Sequence, residues 1–492
     1  MSLHRNKLVH LALLILLVLF IIVVSGCPAV GPNYVRPDTT VYKNWNTQIK
    51  NDSGVKEAGA ENLANWWSAL GDPMLSSLID RAQKGNLNLK KAQASVREAR
   101  ARRGLAKASF FPTLEASGSD TRSRGSENAG GTTIVDSNVI AGVMTSDLYN
   151  LGFDASWELD IFGGVRRSVE AAQANLEASR ENMRDVLVSL VAEVAKDYVD
   201  VRTYQARIAI AKNNLNTQEE TYQLTVWRNQ AGLSDELAVE QARYNLENTR
   251  SNIPALRTGL DAAMNSIAVL LGEQPGGVYE ELSKQEPIPA APMNILAGIP
   301  ADMIRRRPDI RKAERELASQ TAQIGVATAD LYPKLTLSGS IGLESISTGN
   351  LLSSGSRNYS FGPSITIPIF SGGYTLQNIE IQSALQEQYL IAYKTAILGA
   401  LKDVENALIA YVQEQYRRQA LIDAAAAAKQ AAQLSKTKYQ AGLSDFSDVL
   451  DAERSLLSYE DELATSEGMV TTNLISLYKA LGGGWTSSEN KN

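Results

Sequence analysis

Histidine and cysteine are almost missing from this chain of 492 residues. It contains one cysteine, Cys27, and two histidines, His4 and His10. If the N-terminal stretch up to residue 26 is removed during export, the mature chain has no imidazole and no thiol available for catalysis. Ser-His-Asp and Cys-His catalysis and His- or Cys-ligated metals are then excluded, and only carboxylate chemistry survives. No Gly-rich phosphate loop of standard spacing occurs either, so the sequence argues against an enzyme and against a bound cofactor.

Basic clusters and long apolar runs are also scarce. The formal net charge is −6 and no block of lysine and arginine occurs, so nucleic acid is not expected as a partner. The only run apolar enough to matter for a bilayer is Leu8–Val24, which follows Arg5 and Lys7. This is the pattern of a secretory signal, and Val24-Ser25-Gly26-Cys27 fits a bacterial lipoprotein cleavage site. We predict a signal peptide over 1–26 and lipidation of Cys27, with an uncleaved N-terminal membrane anchor as the alternative.

An internal repeat dominates what the chain does contain. The stretch QAGLSD occurs at 230–235 and again at 440–445, an offset of 440 − 230 = 210 residues. Apolar residues spaced 4, 3, 4 and 3 apart between 187 and 201 recur at the same offset between 397 and 411. The chain is therefore read as a tandem duplication. Its predicted segments are 27–61 (extended, lipid-anchored), 62–275 (first repeat), 276–296 (linker), 297–484 (second repeat) and 485–492 (polar tail).

Each half ends in a very long helical stretch that is broken once. Helices over Arg166–Gln230 and Tyr374–Gln440 would each measure roughly 100 Å at about 1.5 Å per residue. An apolar 4-3-4-3 seam on such helices predicts coiled-coil packing. Gly in the QAGLSD stretch suits the left-handed residue after a helix, and Ser suits the cap of the returning helix. QAGLSD then forms the tip of an antiparallel helical hairpin, with Gly232 and Ser234 in the first copy and Gly442 and Ser444 in the second.

Four shorter segments alternate between apolar and polar residues, as strands do. Three runs of about 11 residues have the length of a tilted strand that crosses a bilayer. One face is apolar and the other is small or acidic, which is typical of strands with lipid outside and water inside. A soluble sheet with one wet face remains the alternative. The predicted strands are Leu151–Ile161, Leu335–Glu344, Tyr359–Ile369 and the weaker Thr113–Ser119, and the predicted lumen-facing acids are Asp154, Glu158 and Asp160.

Strands in a bilayer cannot leave an open edge, and four strands cannot close a barrel. The chain must therefore assemble. A dimer would give eight strands with a filled interior, whereas a trimer would give twelve and room for a water-filled lumen. Polar inner faces favour the trimer. Between the strands, 120–147 and 345–358 are predicted to be external loops, and Pro363 and Pro368 to mark bulges or strand ends.

Five segments of the chain carry a family resemblance. They are CPAVGPNYVRP from Cys27, NWWSALGDPMLSSLI at 65–79, RRRPDIRKAERELASQTAQIG at 305–325, LYPKLTLSGSIG at 331–342 and YSFGPSITIPIFSGG at 359–373. In this order they resemble the lipoprotein branch of the outer-membrane factors, the TolC-like exit ducts of tripartite RND-type efflux pumps in Gram-negative bacteria. The resemblance covers nearly the whole mature chain.

The resemblance implies a mixed α+β membrane protein. It would be a homotrimer with a twelve-stranded barrel in outer-membrane lipid, continuous with a long α-helical barrel through the periplasm. A periplasmic adaptor (membrane fusion) protein and an inner-membrane RND-type pump would dock at the helical tips. The implied function is passive efflux of small-molecule toxic compounds or drugs. The tip residues implied in adaptor contact are Gly232, Leu233, Ser234, Gly442, Leu443 and Ser444.

Two acids distinguish the second tip from the first. Asp448 and Asp451 are three residues apart and share one helix face, whereas the first copy has Ala238 and Gln241 at these positions. By resemblance, the matching acids line the constriction at the closed periplasmic end of the duct. A ring of them would favour cations and repel itself. The alternative is that they are ordinary solvated carboxylates on a helix. Relatives can hold this gate with an Arg after the tip Gly, but Leu443-Ser444 stand there in this sequence.

Two other readings stay open from the sequence. A duct for protein secretion would share the same architecture, and a purely structural coiled-coil lipoprotein of the periplasm would share the helices. The predicted lipid anchor and the RRRPD segment favour small-molecule efflux.

Overall fold

The computed structural model describes residues 29–38, 63–126, 128, 132–135, 138–141, 145–290 and 301–485. The predicted signal peptide and Cys27 lie outside the described residues. So do most of the predicted 27–61 segment, the end of the linker from 291 onward and the tail after 485.

Helices make up most of the described chain, and six strands interrupt them. The helices are α1 (Pro73–Gly85), α2 (Leu87–Ala108), α3 (Gly164–Gln230), α4 (Glu236–Leu271), α5 (Tyr279–Leu282), α6 (Pro308–Ala329), α7 (Tyr374–Gln440) and α8 (Phe446–Ala480). The strands are β1 (Thr113–Arg124), β2 (Thr132–Val135), β3 (Asn138–Ala141), β4 (Thr145–Leu159), β5 (Lys334–Ser345) and β6 (Arg357–Thr366). Short 3-10 helices lie at Trp66–Leu70, Ala301–Arg306, Thr348–Asn350 and Ser354–Ser356.

The two long helices predicted from the sequence are confirmed. α3 and α7 each contain 67 residues. Two residues after the end of each helix lies a glycine in the left-handed conformation, Gly232 at φ +72° and Gly442 at φ +74°. The backbone N–H of the next residue reaches back to a carbonyl of the last turn, Leu443 N to Lys438 O at 2.8 Å in the second copy. This closure satisfies helix-end carbonyls and starts the reversal into α4 and α8. None of the described helices has an apolar stretch long enough to cross a membrane.

The predicted serine caps of the returning helices are wrong. The N-cap residues are the aspartates that follow Ser234 and Ser444. Asp235 Oδ1 accepts a hydrogen bond from Ala238 N at 2.9 Å, whereas Asp445 makes no side-chain cap bond. Serine and aspartate are equally good N-cap residues. The returning helices start one residue later than the prediction requires, so the aspartate occupies the N-cap position.

Four strands form one antiparallel sheet in the order β1-β4-β5-β6. Its register is fixed by the pairs Leu151↔Leu343 and Phe153↔Ile341 between β4 and β5. The strands differ from prediction at their ends. β1 continues to Arg124, β4 begins at Thr145, and β6 stops at Thr366, before Pro368. The prediction that Pro363 marks a bulge or strand end is wrong, because Pro363 pairs in register with Leu337 inside β6, an edge strand of the sheet, where proline is tolerated. The predicted loop over 120–147 also contains the β2–β3 hairpin, whose TTIV and NVIA segments are rich in β-branched residues that favour strands.

Contacts divide the chain into two units, each with residues from both halves of the repeat. The first consists of described residues within 1–36, 97–177 and 315–391 and contains the sheet. The second consists of described residues within 37–96, 178–314 and 392–492 and contains the main apolar core and both helical tips.

The core of the second unit begins with the segment NWWSALGDPMLSSLI. Trp66 stacks on Tyr478 with ring centroids 5.1 Å apart. Asp72 caps α1 by accepting from Met74 N at 2.8 Å, and the following Pro73 suits the first helical turn. The other oxygen of Asp72 accepts from Tyr198 OH at 2.6 Å. The cap therefore ties α1 to the middle of α3.

In the first unit, one arginine holds the N-terminal segment. Arg167, whose side chain is 4% exposed, donates to Val30 O at 3.0 Å, Gly31 O at 3.2 Å and Asn33 Oδ1 at 2.8 Å. Gly31 has φ +86°, and a Cβ there would lie 2.4 Å from the Cα of Gly325 in α6. Only glycine fits this close backbone approach.

Candidate functional site

The polar face of the sheet carries a row of acids and hydroxyl groups. The register sets Glu115 of β1 opposite Asp154 of β4, and Ser340 of β5 follows in the same row. Ser117 Oγ donates to Asp154 Oδ2 at 2.9 Å. Glu158 lies on the same face of β4, opposite Thr336. Asp154 and Glu158 are therefore exposed on one face of the sheet, and their position in a lumen stays a prediction. Glu115 is a third acid on this face that the alternation in Thr113–Ser119 could have identified.

Asp160 does not belong to this face, contrary to the prediction. β4 ends at Leu159, and Asp160 turns toward the start of α3. Its two oxygens accept from Val165 N and Arg166 N, each at 2.9 Å, and Arg166 Nε also reaches it at 3.1 Å. The alternating pattern continues past Leu159, but the turn at Gly163, with φ +83°, redirects the carboxylate into a helix-capping role.

The opposite face of the sheet is apolar and exposed. Phe153 is 54% exposed, Ile341 is 65% exposed and Tyr359 is 85% exposed, although the three are aligned across β4, β5 and β6. A continuous exposed apolar face of this kind marks a surface made for lipid or for another chain. Among the described strands, β1 and β6 each pair on one side only, so the sheet has two open edges.

Both helical tips present a leucine beside the turning glycine. Leu233 is 67% exposed and Leu443 is 77% exposed. Ser234 offers its carbonyl to Asn229 Nδ2 at 3.1 Å, whereas Ser444 Oγ has no hydrogen-bond partner within the described chain. The two hairpins pack together just behind the tips. The small buried cluster there is Ala238, Ala242, Tyr439, Phe446, Val449 and Leu450.

Asp448 and Asp451 lie on the exposed side of α8, opposite the buried Val449 and Leu450. Asp451 is 78% exposed, and its nearest cation is Arg454, 4.0 Å away between Oδ1 and Nη1. An exposed ion pair at this distance contributes little to stability. No group of three or more His, Cys, Asp or Glu side chains is arranged to hold a metal ion in the part of the chain that the structure describes.

A line of polar contacts joins the first hairpin (α3 and α4) to the second (α7 and α8), and the sequence reading missed it. We call these contacts the polar seam. They are Arg207 Nε to Asp461 Oδ1 at 2.7 Å, Asn214 Nδ2 to Glu460 Oε2 at 2.9 Å, Thr221 Oγ1 to Glu453 Oε1 at 2.7 Å and Arg228 Nη1 to Tyr439 O at 3.1 Å.

The signal for the polar seam is a difference between the two copies. On α3, Asn214, Gln218 and Thr221 are buried polar residues. Adding 210 to each number gives Ala424, Ala428 and Ala431 on α7. A helix face that is polar in one copy and alanine in the other cannot have the same neighbour in both. At these positions α8 supplies the partners of Asn214 and Thr221, whereas Gln218 has no hydrogen-bond partner within the described residues.

Comparison with known proteins gives the family. The model of the outer membrane efflux protein family matches residues 78–273 and 299–483. Nodulation protein T of Rhizobium leguminosarum bv. trifolii is 35% identical over 450 residues, which cover 90% of this chain and 92% of the relative. The cation efflux system protein CusC of Escherichia coli O6:H1 is 31% identical over 471 residues, which cover 94% and 96%.

A solved structure of the outer-membrane channel OprN superposes with a TM-score of 0.84 at 35% identity and covers 93% of this chain and 99% of that one. The family resemblance found in the sequence is thereby confirmed. With its four-stranded sheet and long helical hairpins, the chain belongs to the outer membrane efflux protein family.

Proposed function

We propose that the chain is the outer-membrane exit duct of a tripartite efflux pump. It passively conducts small-molecule toxic compounds or drugs that an inner-membrane RND-type pump and a periplasmic adaptor deliver. The observation that carries this proposal is the sheet, which has an exposed apolar face, an acid-bearing polar face and two open edges. Such a sheet suits lipid on one side and water on the other.

The open edges of β1 and β6 support a homotrimer. Each unpaired backbone group costs several kcal/mol in lipid, so the edges must be sealed by other copies. Glu115, Asp154 and Glu158 would be buried without counter-charges in a small filled barrel, because about eight strands leave room only for side chains. Three copies give twelve strands and a lumen wide enough to hydrate the acids.

The exposed acids of α8 support a gate. In a trimer, Asp448 and Asp451 of three copies would form a ring of six carboxylates around the axis. Such a ring attracts cations and repels itself, so the gate helices need other contacts to stay together. No cofactor or catalytic group is part of this role, and the energy for transport comes from the pump.

The tips support contact with the adaptor. Leu233 and Leu443 are exposed leucines at the ends of rigid hairpins, beside Gly232 and Gly442. The hydrogen bonds that end each helix fix the conformation of the turn, so these leucines form a defined apolar surface. Such a surface suits the packing of another helical hairpin. Ser234 and Ser444 complete the two candidate contacts.

The docked N-terminal segment supports lipidation at Cys27 as an anchor close to the sheet. Val30 N donates to Phe162 O at 3.0 Å, directly after β4. Cys27 is two residues before Ala29, and an extended chain spans at most about 3.6 Å per residue. Lipidation of Cys27 would therefore place the anchor two residues of chain before the docked segment.

Conductance in planar bilayers tests the proposal. The purified protein should pass ions, and replacing Asp448 and Asp451 together by Asn should lower the cation preference. The matched control replaces Glu236 and Glu240 by Gln, because these exposed acids occupy the start of the returning helix at the other tip. A duct without measurable conductance would contradict the proposed function. Equal cation preference in the Asp variant and the control would contradict the gate assignment alone.

A further inference from the structure

The gate helix α8 carries a third acid that faces inward. Glu453 comes two residues after Asp451, but its side chain is 5% exposed because it points at α3. Its Oε1 lies 2.7 Å from Thr221 Oγ1. This contact belongs to the polar seam and joins the helix that bears Asp448 and Asp451 to the first hairpin.

The hydrogen bonds of Thr221 bear on the protonation state of Glu453. Thr221 Oγ1 also lies 3.0 Å from the backbone oxygen of Thr217. A hydroxyl group has one hydrogen and cannot donate to both oxygens. When that hydrogen goes to Thr217, the contact with Glu453 is satisfied only if the Glu453 carboxyl carries a proton. When the hydrogen goes to Glu453 instead, the bond favours the charged form, so the contact accommodates both protonation states and burial distinguishes between them.

Burial favours the neutral form of Glu453. It raises the pKa of Glu453 above the usual value for a glutamate, while the Thr221 hydrogen bond and the attraction of Lys436 oppose the rise. Lys436 belongs to α7 and is itself paired with Glu220 of α3, at 3.3 Å. On α8, the charged residues on either side of it are Asp451 and Arg454.

The fourth helix at this point, α4, brings no charge to Glu453 among the contacts of the described chain. It contributes Asn245, which accepts from Arg454 Nε at 3.3 Å, and Tyr244, whose hydroxyl also binds Arg454. The cation on the gate helix is therefore engaged by α4, and Glu453 keeps Thr221 as its hydrogen-bond partner within the described residues.

The contact occurs in one copy of the repeat only. Subtracting 210 from Glu453 gives Arg243, an exposed residue of α4, and adding 210 to Thr221 gives Ala431. Neither member of the pair has a counterpart. The acid is thus present only on the helix that carries the gate carboxylates.

We infer that Glu453 is a positioning residue for the gate: its neutral form, bonded to Thr221, holds α8 against α3, and its ionisation releases α8. This inference rests on the proposed function and identifies the contact that regulates it. It also offers a holding contact for a tip that has Leu443-Ser444 after its glycine.

The direction of the pH response follows from linkage. Released and hydrated, Glu453 has an ordinary glutamate pKa of about 4.3, whereas in the seam its pKa is raised. The stabilisation of the seam is fully present below the ordinary value and is lost as the pH rises through the raised value. The open fraction of the duct therefore increases with pH. Each unit of pKa difference changes the equilibrium between held and released α8 tenfold.

Planar-bilayer recordings across a pH series test the inference. To remove the gate carboxylates themselves from the response, the background variant has both Asp448 and Asp451 replaced by Asn. In that background the open fraction should still rise with pH, and Glu453→Gln, which has nearly the same shape but no ionisation, should abolish the rise. Glu460→Gln is the matched control, since Glu460 lies on the same helix and in the same seam, bonded to Asn214.

Two further variants separate a titrating contact from a merely structural one. Lys436→Met removes the attraction that favours the charged form, so the midpoint of the pH response should move to higher pH. Thr221→Val should raise the open fraction at acidic pH on the order of fivefold through loss of one hydrogen bond, whereas Thr221→Ser should leave it unchanged. An unchanged midpoint in Lys436→Met would overturn the inference even if Glu453→Gln failed to fold.

A readout without conductance distinguishes failure of this inference from failure of the proposed function. Hydrogen exchange of residues 446–460 in the detergent-solubilised protein, corrected for the intrinsic effect of pH, should accelerate as pH rises in the wild type and not in Glu453→Gln. A protein that never conducts but shows this difference refutes the duct and keeps the switch. A conducting protein whose exchange and open fraction respond to pH equally with and without Glu453 refutes the switch and keeps the duct.

Discussion

Replacing Gly31 by alanine should detach the N-terminal segment from the first unit. Gly31 adopts φ +86°, and this left-handed conformation costs other residues about 1 to 2 kcal/mol. The added Cβ would lie 2.4 Å from the Cα of Gly325, a backbone atom that cannot swing aside. Relief needs a shift of about 1 Å, since carbon atoms pack at roughly 3.5 Å, and that shift breaks at least one bond from Arg167.

The expected magnitude combines both effects. A hydrogen bond to a charged group contributes about 1.5 to 3 kcal/mol, so strain and bond loss together weaken docking by about 2.5 to 5 kcal/mol. Since about 1.4 kcal/mol is a factor of ten, the undocked fraction should rise at least about fiftyfold. Chymotryptic cleavage after Tyr34, whose ring lies 5.4 Å from the Arg315 guanidinium, measures that fraction.

Gly71→Ala is the matched control for this prediction. Gly71 has φ +66° but no atom within 4 Å of an added Cβ, so only the conformational cost of about 1 to 2 kcal/mol applies. Cleavage after Tyr34 should stay at the wild-type rate in this variant. Wild-type protection of Tyr34 in Gly31→Ala would refute the reasoning, because it would mean that the backbone of Gly325 does not limit the space at Gly31.

Two other predictions concern the sheet and the core. Phe153→Arg puts a charge on the exposed apolar face, which costs about 2 to 4 kcal/mol per chain in a bilayer. The amount of membrane-inserted oligomer should therefore fall sharply. Asp154→Asn changes the other face of the sheet and should insert normally. Arg202 is 1% exposed and donates to Lys284 O at 2.7 Å and to Tyr198 OH at 3.0 Å. Arg202→Met should reduce the free energy of unfolding by about 2 to 4 kcal/mol and so lower the midpoint of thermal unfolding. A midpoint unchanged within error would contradict this structural role of Arg202.

The long elements were predictable because one pattern dominates each of them. An apolar period without interrupting proline specified α3 and α7 nearly to the residue, and glycine marked their ends. Alternation of apolar and polar residues likewise located β4, β5 and β6. Such patterns are set by burial, which acts on many residues at once.

Boundaries were harder because they depend on single hydrogen bonds. Asp160 continues the alternation of β4 in sequence, yet it caps α3 once the chain turns at Gly163. Ser234 and Asp235 are both good caps, and the turn geometry selects the second. Local chemistry of this kind has no period and leaves little trace in a sequence.

The polar seam could not be predicted from the sequence for a different reason. From the sequence alone, a buried threonine or glutamate on a helix cannot be distinguished from an exposed one unless the residue that it contacts is known. Thr221 and Glu453 are 232 residues apart, and only the comparison of Thr221 with Ala431 in the other copy hints at the contact. The roles of Cys27, the tips and the gate acids remain predictions that the structure makes testable.

Native mass spectrometry of the full-length protein extracted in detergent tests the central claim, which is that strands from three copies close one barrel. We expect a trimer that stays in solution only with detergent. We also expect that Phe153→Arg keeps this trimer from entering membranes. A monomer that stays in solution without detergent would contradict it, because the open edges of β1 and β6 would then be stable without partners.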